Sequence, residues 1–190
     1  MNTKVKQLTL LATAGFLLAS CGQGKKEETT AATTTQETTA APTTVYSLED
    51  AQKEVFETIS VSGKDTVTLY YKDDVLLKQE VVTKFIVSKM EQKNPLEVLQ
   101  KTAQKTQEKM KNFIGKGVEI KTDYKDDVFT FAYSFDYTKL DMQKLKEAIS
   151  NLNLRDDNTI SYSDYKDSLV QQGYKEKQTT ASKENATQPV

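Results

Sequence analysis

The chain offers little of the usual chemistry. Its 190 residues include no histidine, one cysteine (Cys21) and one arginine (Arg155). Cys–His and Ser–His–Asp nucleophilic relays and imidazole metal sites are therefore excluded. A single arginine argues against a site built on bidentate recognition of phosphate or carboxylate. Carboxylates are plentiful, and two pairs recur in one string, Tyr71-Lys72-Asp73-Asp74-Val75 and Tyr124-Lys125-Asp126-Asp127-Val128. Carboxylate oxygens are hard ligands suited to calcium or magnesium. A calcium loop, however, needs alternating acids with a glycine and a distal Glu, and neither string has them. The pairs read as solvated turn acids that discourage edge-to-edge aggregation, so no metal is expected. Hydrolysis by two carboxylates would need a cleft in which one acid has a raised pKa. The acids here fall in turns and on polar helix faces, so no catalytic residue is assigned, no cofactor is expected and the chain is expected not to be an enzyme.

Cys21 is the residue with a definite chemical expectation. It follows a short cationic start with Lys4 and Lys6, an apolar run from Leu8 to Leu18, and the small residues Ala19 and Ser20. That run is too short for a spanning helix, which takes about 20 apolar residues, and it has the three parts of an export signal. Leu18-Ala19-Ser20-Cys21 resembles the lipobox of bacterial lipoproteins, which implies a diacylglyceryl group on the Cys21 thiol and Cys21 as the mature N-terminus. The alternative is a plain signal peptide cut near Ser20. A lone cysteine in an exported chain cannot close an internal disulfide, which favours modification. Two acyl chains hold a protein at a membrane stably where one does not.

Residues 1–20 are thus expected to be a lipoprotein signal peptide and 21–45 a lipidated cysteine with a flexible tether. From Gly22 to Thr44 the chain is Thr, Ala, Gln and charge with no large apolar residue, too little to offset its ordering entropy. Its root-mean-square reach is about 25 to 30 Å. Residues 46–177 form one domain by length, and 178–190 read as a disordered tail. Lys and Arg number 26 against 27 Asp and Glu; without Lys4 and Lys6 the balance is 24 against 27, a formal charge of −3. Lysines and acids are interleaved with no basic stripe, so no nucleic acid partner is expected.

Each Lys-Asp-Asp string sits between two alternating runs. Thr66 to Tyr71 leads into Val75 to Val87, with Val75, Leu77, Val81, Phe85 and Val87 at a spacing of two; Val118, Ile120, Thr122 and Tyr124 lead into Phe129, Phe131, Tyr133 and Phe135. Both read as β-hairpins, because Asp tolerates the left-handed backbone of tight turns. Val55, Thr58, Ile59 and Val61 favour a preceding strand that turns at Ser62-Gly63-Lys64.

A helix follows each hairpin. Asn94, Pro95 and Glu97 open the first and Gly115 closes it, with a stripe of Leu96, Leu99, Ala103, Met110 and Phe113. Thr138 and Asp141 start the second, with Met142, Leu145, Ile149 and Leu152 inward. Ser161 or Ser163 starts a last helix, in which Tyr162, Tyr165 and Leu169 align and Gly173 is the stop. The expected fold is α+β: an antiparallel sheet of about five strands built from two hairpin-helix units, helices mainly on one face, plus a C-terminal helix.

With the leader, Thr66 to Gln79, Gly117-Val118-Glu119, Asp136 to Lys139 and Gln172-Gly173-Tyr174-Lys175-Glu176, the chain resembles the YehR-like family of small bacterial lipoproteins. That resemblance implies a fold and a location rather than a reaction. The expected role is a membrane-anchored, extracytoplasmic binding or interaction module of the cell envelope, in a Gram-positive cell by its Lys-rich, Arg-poor usage. A Gram-negative membrane is the alternative location and a carboxylate-dependent envelope hydrolase the alternative activity. Tyr70, Tyr71, Tyr124, Tyr133, Tyr137, Tyr162 and Tyr165 are candidates for contact with an envelope protein or glycan, although alternating aromatics more often fill a core. No ligand-binding residue is assigned. The uncovered face of the sheet is where a contact surface is expected.

Overall fold

The computed structural model describes residues 46–177. The expected signal peptide, lipidated Cys21, tether and C-terminal tail lie outside the described residues. Within them the element order is β1 (Gln52–Ser60), β2 (Gly63–Lys72), β3 (Val75–Ile86), α1 (Pro95–Met110), β4 (Val118–Lys125), β5 (Val128–Asp136), α2 (Met142–Ala148), α3 (Tyr162–Gln171) and β6 (Lys175–Glu176). The strands form a single antiparallel sheet in the order β4-β5-β3-β2-β1-β6. Second strands of the two hairpins lie side by side, with Val82 opposite Ala132, so the two Lys-Asp-Asp turns point to opposite ends of the sheet.

Both turns have two residues, each with a left-handed backbone: φ is 49° and 60° at Asp73 and Asp74, and 51° and 65° at Asp126 and Asp127. This is the type I′ geometry, whose twist matches that of the flanking strands. The first hairpin carries a β-bulge at Tyr70 and Tyr71. β1 joins β2 through Val61 and Ser62, one step earlier than the expected Ser62-Gly63-Lys64, because Gly63 is needed within the ladder. It lies opposite Phe85, and a Cβ there would stand 2.4 Å from the Lys84 carbonyl oxygen.

Cross-strand register sorts the sheet into two faces. Phe56, Val67, Val81 and Tyr133 lie in one row, followed by Leu69 and Phe135 in the next; all six are buried. They form one cluster with Leu99, Ala103 and Met110 of α1, Leu145 of α2 and Leu169 of α3. All three helices therefore cover the same face. Buried Thr106 continues the α1 stripe, its hydroxyl donating to the Thr102 carbonyl at 3.0 Å.

Further details differ from expectation, and α1 ends at Met110, ahead of Gly115. Asn94 is left-handed, with φ at 53°, and its side chain does not cap α1; it donates to Glu97 at 3.4 Å instead. Residues Tyr137–Lys139 form a short 3-10 turn, so α2 begins after Asp141, whose carboxylate accepts the Lys144 N–H. A sixth strand, β6, closes the chain back onto β1 at Phe56 and Glu57. As expected, Ser161 caps α3 and Gly173 ends it, with φ at 90°. Among the described residues no helix is long and apolar enough to cross a membrane.

Candidate functional site

The face of the sheet away from the helices carries, across β1 to β3 and β5, Lys53, Tyr70 and Lys78 in one row, Val55, Thr68, Glu80 and Ser134 in the next, and Glu57, Thr66, Val82 and Ala132 in the third. None of these residues is buried. Apart from Glu57 and Glu80, the second and third rows are made of short side chains. Toward one end Tyr70 stands between two ammonium groups, with Lys53 Nζ 5.5 Å and Lys78 Nζ 5.3 Å from its ring centre. The Tyr70 hydroxyl donates to Glu80 at 3.2 Å, and Lys78 pairs with the same carboxylate at 2.6 Å. That hydrogen bond from Lys78 to Glu80 raises the Lys78 pKa. Such a row offers cations and an aromatic edge to a ligand, with no convergent acid–base pair.

The tyrosines divide between the faces. Tyr70 is on the open face and Tyr124 is exposed near the end of β4. The others pack inward: Tyr133 and Tyr162 are buried, with Tyr71, Tyr137 and Tyr165 against the core. Tyr71 and Tyr162 stack with ring centres 3.6 Å apart and planes 5° from parallel. The Tyr71 hydroxyl donates to Glu54 at 2.8 Å, and Lys166 of α3 donates to the other Glu54 oxygen at 2.7 Å. Burial raises the Glu54 carboxyl, but Lys166 and Tyr71 outweigh it and hold it below its ordinary 4.5. This cluster ties α3 to β1.

Asp65 sits on the covered face beneath Tyr174 and Thr83. The Thr83 hydroxyl donates to it at 2.8 Å and the Tyr174 hydroxyl to its second oxygen. Burial nonetheless pushes its carboxyl above the ordinary 3.8. Lys64-Asp65-Thr66 reads as polar in the sequence; the sign that Asp65 faces the helices is its even spacing with Val67 and Leu69.

The paired aspartates correct the expectation of solvated turn acids. Asp73 and Asp126 are exposed, but their partners are structural. The Asp74 carbonyl accepts the Tyr162 N–H at 2.9 Å and its carboxylate the Ser163 N–H at 2.7 Å, at the start of α3; Arg155 pairs with the same carboxylate. Asp127 repeats the arrangement on the 3-10 turn Val87–Lys89, its carbonyl accepting the Val87 N–H at 2.9 Å and its carboxylate the Ser88 N–H at 3.1 Å. Among the described residues no group of three acids is placed to hold a metal ion.

The two hairpins with their docking aspartates, the helices over one face and the closing Tyr174-Lys175 all fall in one stretch that a family model covers. The family described as a protein of unknown function (DUF1307) matches residues 52–175. The chain belongs to this family. The solution structure of the Escherichia coli YehR protein is similar to it, with 25% identity, a TM-score of 0.50, and coverage of 67% of this chain and 91% of that one. The YehR-like character of this DUF1307 member is thus borne out. A Streptococcus pneumoniae TIGR4 protein, also solved by NMR, matches at 19% identity and a TM-score of 0.44, over 82% of this chain and 100% of that one. No curated protein matches the chain.

Proposed function

We propose that this DUF1307 protein is a lipid-anchored, extracytoplasmic binding module without enzymatic activity. Cys21 carries a diacylglyceryl group, and the open sheet face is the contact surface for an envelope protein or glycan. The observation that carries the anchor is Leu18-Ala19-Ser20-Cys21 at the end of an apolar run too short to span a bilayer. The contact surface is supported by the uncovered rows around Lys53, Tyr70 and Lys78, since an antiparallel sheet with helices on one side leaves its other side to solvent. A carboxylate-dependent hydrolase fits fewer observations. Glu54, Asp74 and Asp136 each answer to a cation or an amide, and Asp65 is enclosed by Thr83 and Tyr174.

Mass spectrometry of the N-terminal peptide from the native membrane fraction tests the anchor. A diacylglyceryl mass on Cys21 is expected, and release from membranes in Cys21→Ser; an unmodified Cys21 refutes it. Cross-linking of the anchored protein in its own cells tests the module. A reproducible partner that Tyr70→Ala and Lys53→Ala weaken is the expected result, and a partner insensitive to both moves the contact elsewhere.

A further inference from the structure

Among the described residues β4 is an outer strand of the sheet: it pairs with β5 along its length, and Phe113 to Gly115 takes up the outer side at Val118, which leaves the edge open from Glu119 onward. Its eight residues contain no proline and keep an unbroken register with β5, and all but Val118 are at least partly exposed. A continuous exposed edge is a template for another strand, which proteins usually block. At the opposite edge β6 lies against β1.

The direction of the backbone follows from its hydrogen bonds. The Val118 N–H donates to the Phe113 carbonyl at 3.3 Å and its carbonyl accepts the Gly115 N–H at 3.0 Å, so Val118 points these groups away from β5. Direction alternates along a strand, so Ile120, Thr122 and Tyr124 point theirs away too, while Glu119, Lys121, Asp123 and Lys125 face β5. The two-residue turn after Lys125 demands the same phase, since the residues flanking it bond to each other.

Side chains on this edge form two rows. Glu119, Lys121, Asp123 and Lys125 alternate in charge on the open face; Ile120, Thr122 and Tyr124 lie on the helix side. A two-fold axis through Thr122 sets a second copy with Thr122 opposite Thr122, Ile120 opposite Tyr124, Lys121 opposite Asp123 and Glu119 opposite Lys125. Outward-directed backbone then meets outward-directed backbone, and every charge meets its opposite. A shift of two residues is the smallest that keeps the backbones facing. One way it puts Lys121 against Lys121 and Glu119 against Asp123; the other way, Asp123 against Asp123 and Lys121 against Lys125. Like charges directly opposite are unfavourable, so the alternation disfavours both two-residue shifts, and a shift of four, which again opposes unlike charges, keeps only two of the four pairs within the strand. Lys121 pairs with Glu119 inside the chain at 3.0 Å, whereas Asp123 and Lys125 are exposed with no ion-pair partner among the described residues. Tyr124 on this edge is an exposed apolar side chain that a neighbouring strand would cover.

We propose that two copies of this chain join edge to edge through β4, in the register centred on Thr122, to make one continuous antiparallel sheet. The interface is isologous, so each contact occurs twice.

Sedimentation velocity of the mature chain carrying Cys21→Ser, which removes both the anchor and the thiol, tests this. A reversible dimer is expected. Lys121→Asp and Asp123→Lys each place like charges opposite one another twice, and each should weaken association by about tenfold. The double variant Lys121→Asp/Asp123→Lys should restore it. An equimolar mixture of the two single variants should form a heterodimer, because one edge is then acidic and the other basic. Circular dichroism confirms that each variant is folded. A chain that stays monomeric to about 1 mM overturns the proposal and leaves the edge to a strand of another protein. Single variants that dimerise like the parent, or a mixture that fails to associate, also overturn it.

Discussion

The Asp74 carboxylate accepts the Ser163 N–H at 2.7 Å, joining the first hairpin turn to the start of a helix 89 residues later in the chain. Asp74 caps α3 together with Ser161, whose hydroxyl accepts the Asp164 N–H at 3.2 Å. In a type I′ turn the second position favours glycine; Asp74 holds it at φ 60° and keeps a contact that glycine would lose. Asp74→Gly should therefore destabilise despite its easier backbone, and Asp74→Ala should cost more, about 1 to 2 kcal/mol, because it loses the cap and keeps the strain. Urea unfolding midpoints check the order; an Asp74→Gly variant more stable than the parent would show the contact to be idle.

Glycine is required at Gly63 for a different reason than at Gly115. Gly63→Ala drives a methyl to 2.4 Å from the Lys84 carbonyl oxygen, whereas Gly115 has open space around it but φ at 78°. We expect Gly63→Ala to cost more than about 2 kcal/mol and Gly115→Ala about 1 kcal/mol. Thermal unfolding of the two variants side by side reads the difference, and equal losses would contradict the close approach at β3.

Two acids should shape the pH dependence with opposite signs. Asp65 has its folded pKa raised above 3.8, so its contribution to stability is full below that value and is lost as pH rises through the folded pKa. Glu54 has its folded pKa lowered below 4.5, so its contribution is present above that value and is lost as pH falls through the folded pKa. Asp65→Asn is expected to gain on the parent at pH 7 relative to pH 3, and Glu54→Gln to flatten the acid-side loss. Denaturant unfolding from pH 3 to pH 8 measures both. A parent–Asp65→Asn difference that does not change with pH would rule out the buried charge.

Tyr71 and Tyr162 separate packing from hydrogen bonding. Tyr71→Phe keeps the 3.6 Å stack but removes the 2.8 Å bond to Glu54, a loss of about 1 kcal/mol. Tyr162→Ala removes the stack and leaves a cavity under α3, a loss of about 3 to 5 kcal/mol. Equilibrium unfolding distinguishes them; similar costs would mean that the stack contributes little.

Much of the fold was legible because its signals are local. Alternation at a spacing of two identifies Phe129, Phe131, Tyr133 and Phe135 as one face, and they are buried together. Lys-Asp-Asp between two such runs marks the turns, and Ser161 with Gly173 brackets α3. β6 was illegible, since two residues carry no period and Lys175–Glu176 is a strand only because β1 offers an open ladder at Phe56 and Glu57. The Asp74 and Asp127 contacts were hidden likewise, because their partners lie far away in the chain.

Composition and order alone determined that imidazole chemistry is unavailable, that Cys21 follows an export-like leader, and that two hairpins and three helices form, because each of these depends on residue types within a few turns of chain. Tertiary structure decided the strand order, the turning of Asp65 and most tyrosines toward the covered face, and the choice of β4 as the longer open edge with its charges in self-complementary order. These depend on which distant segments meet. A side chain's surroundings, unlike its backbone preference, exist only after the non-local pairing has been made.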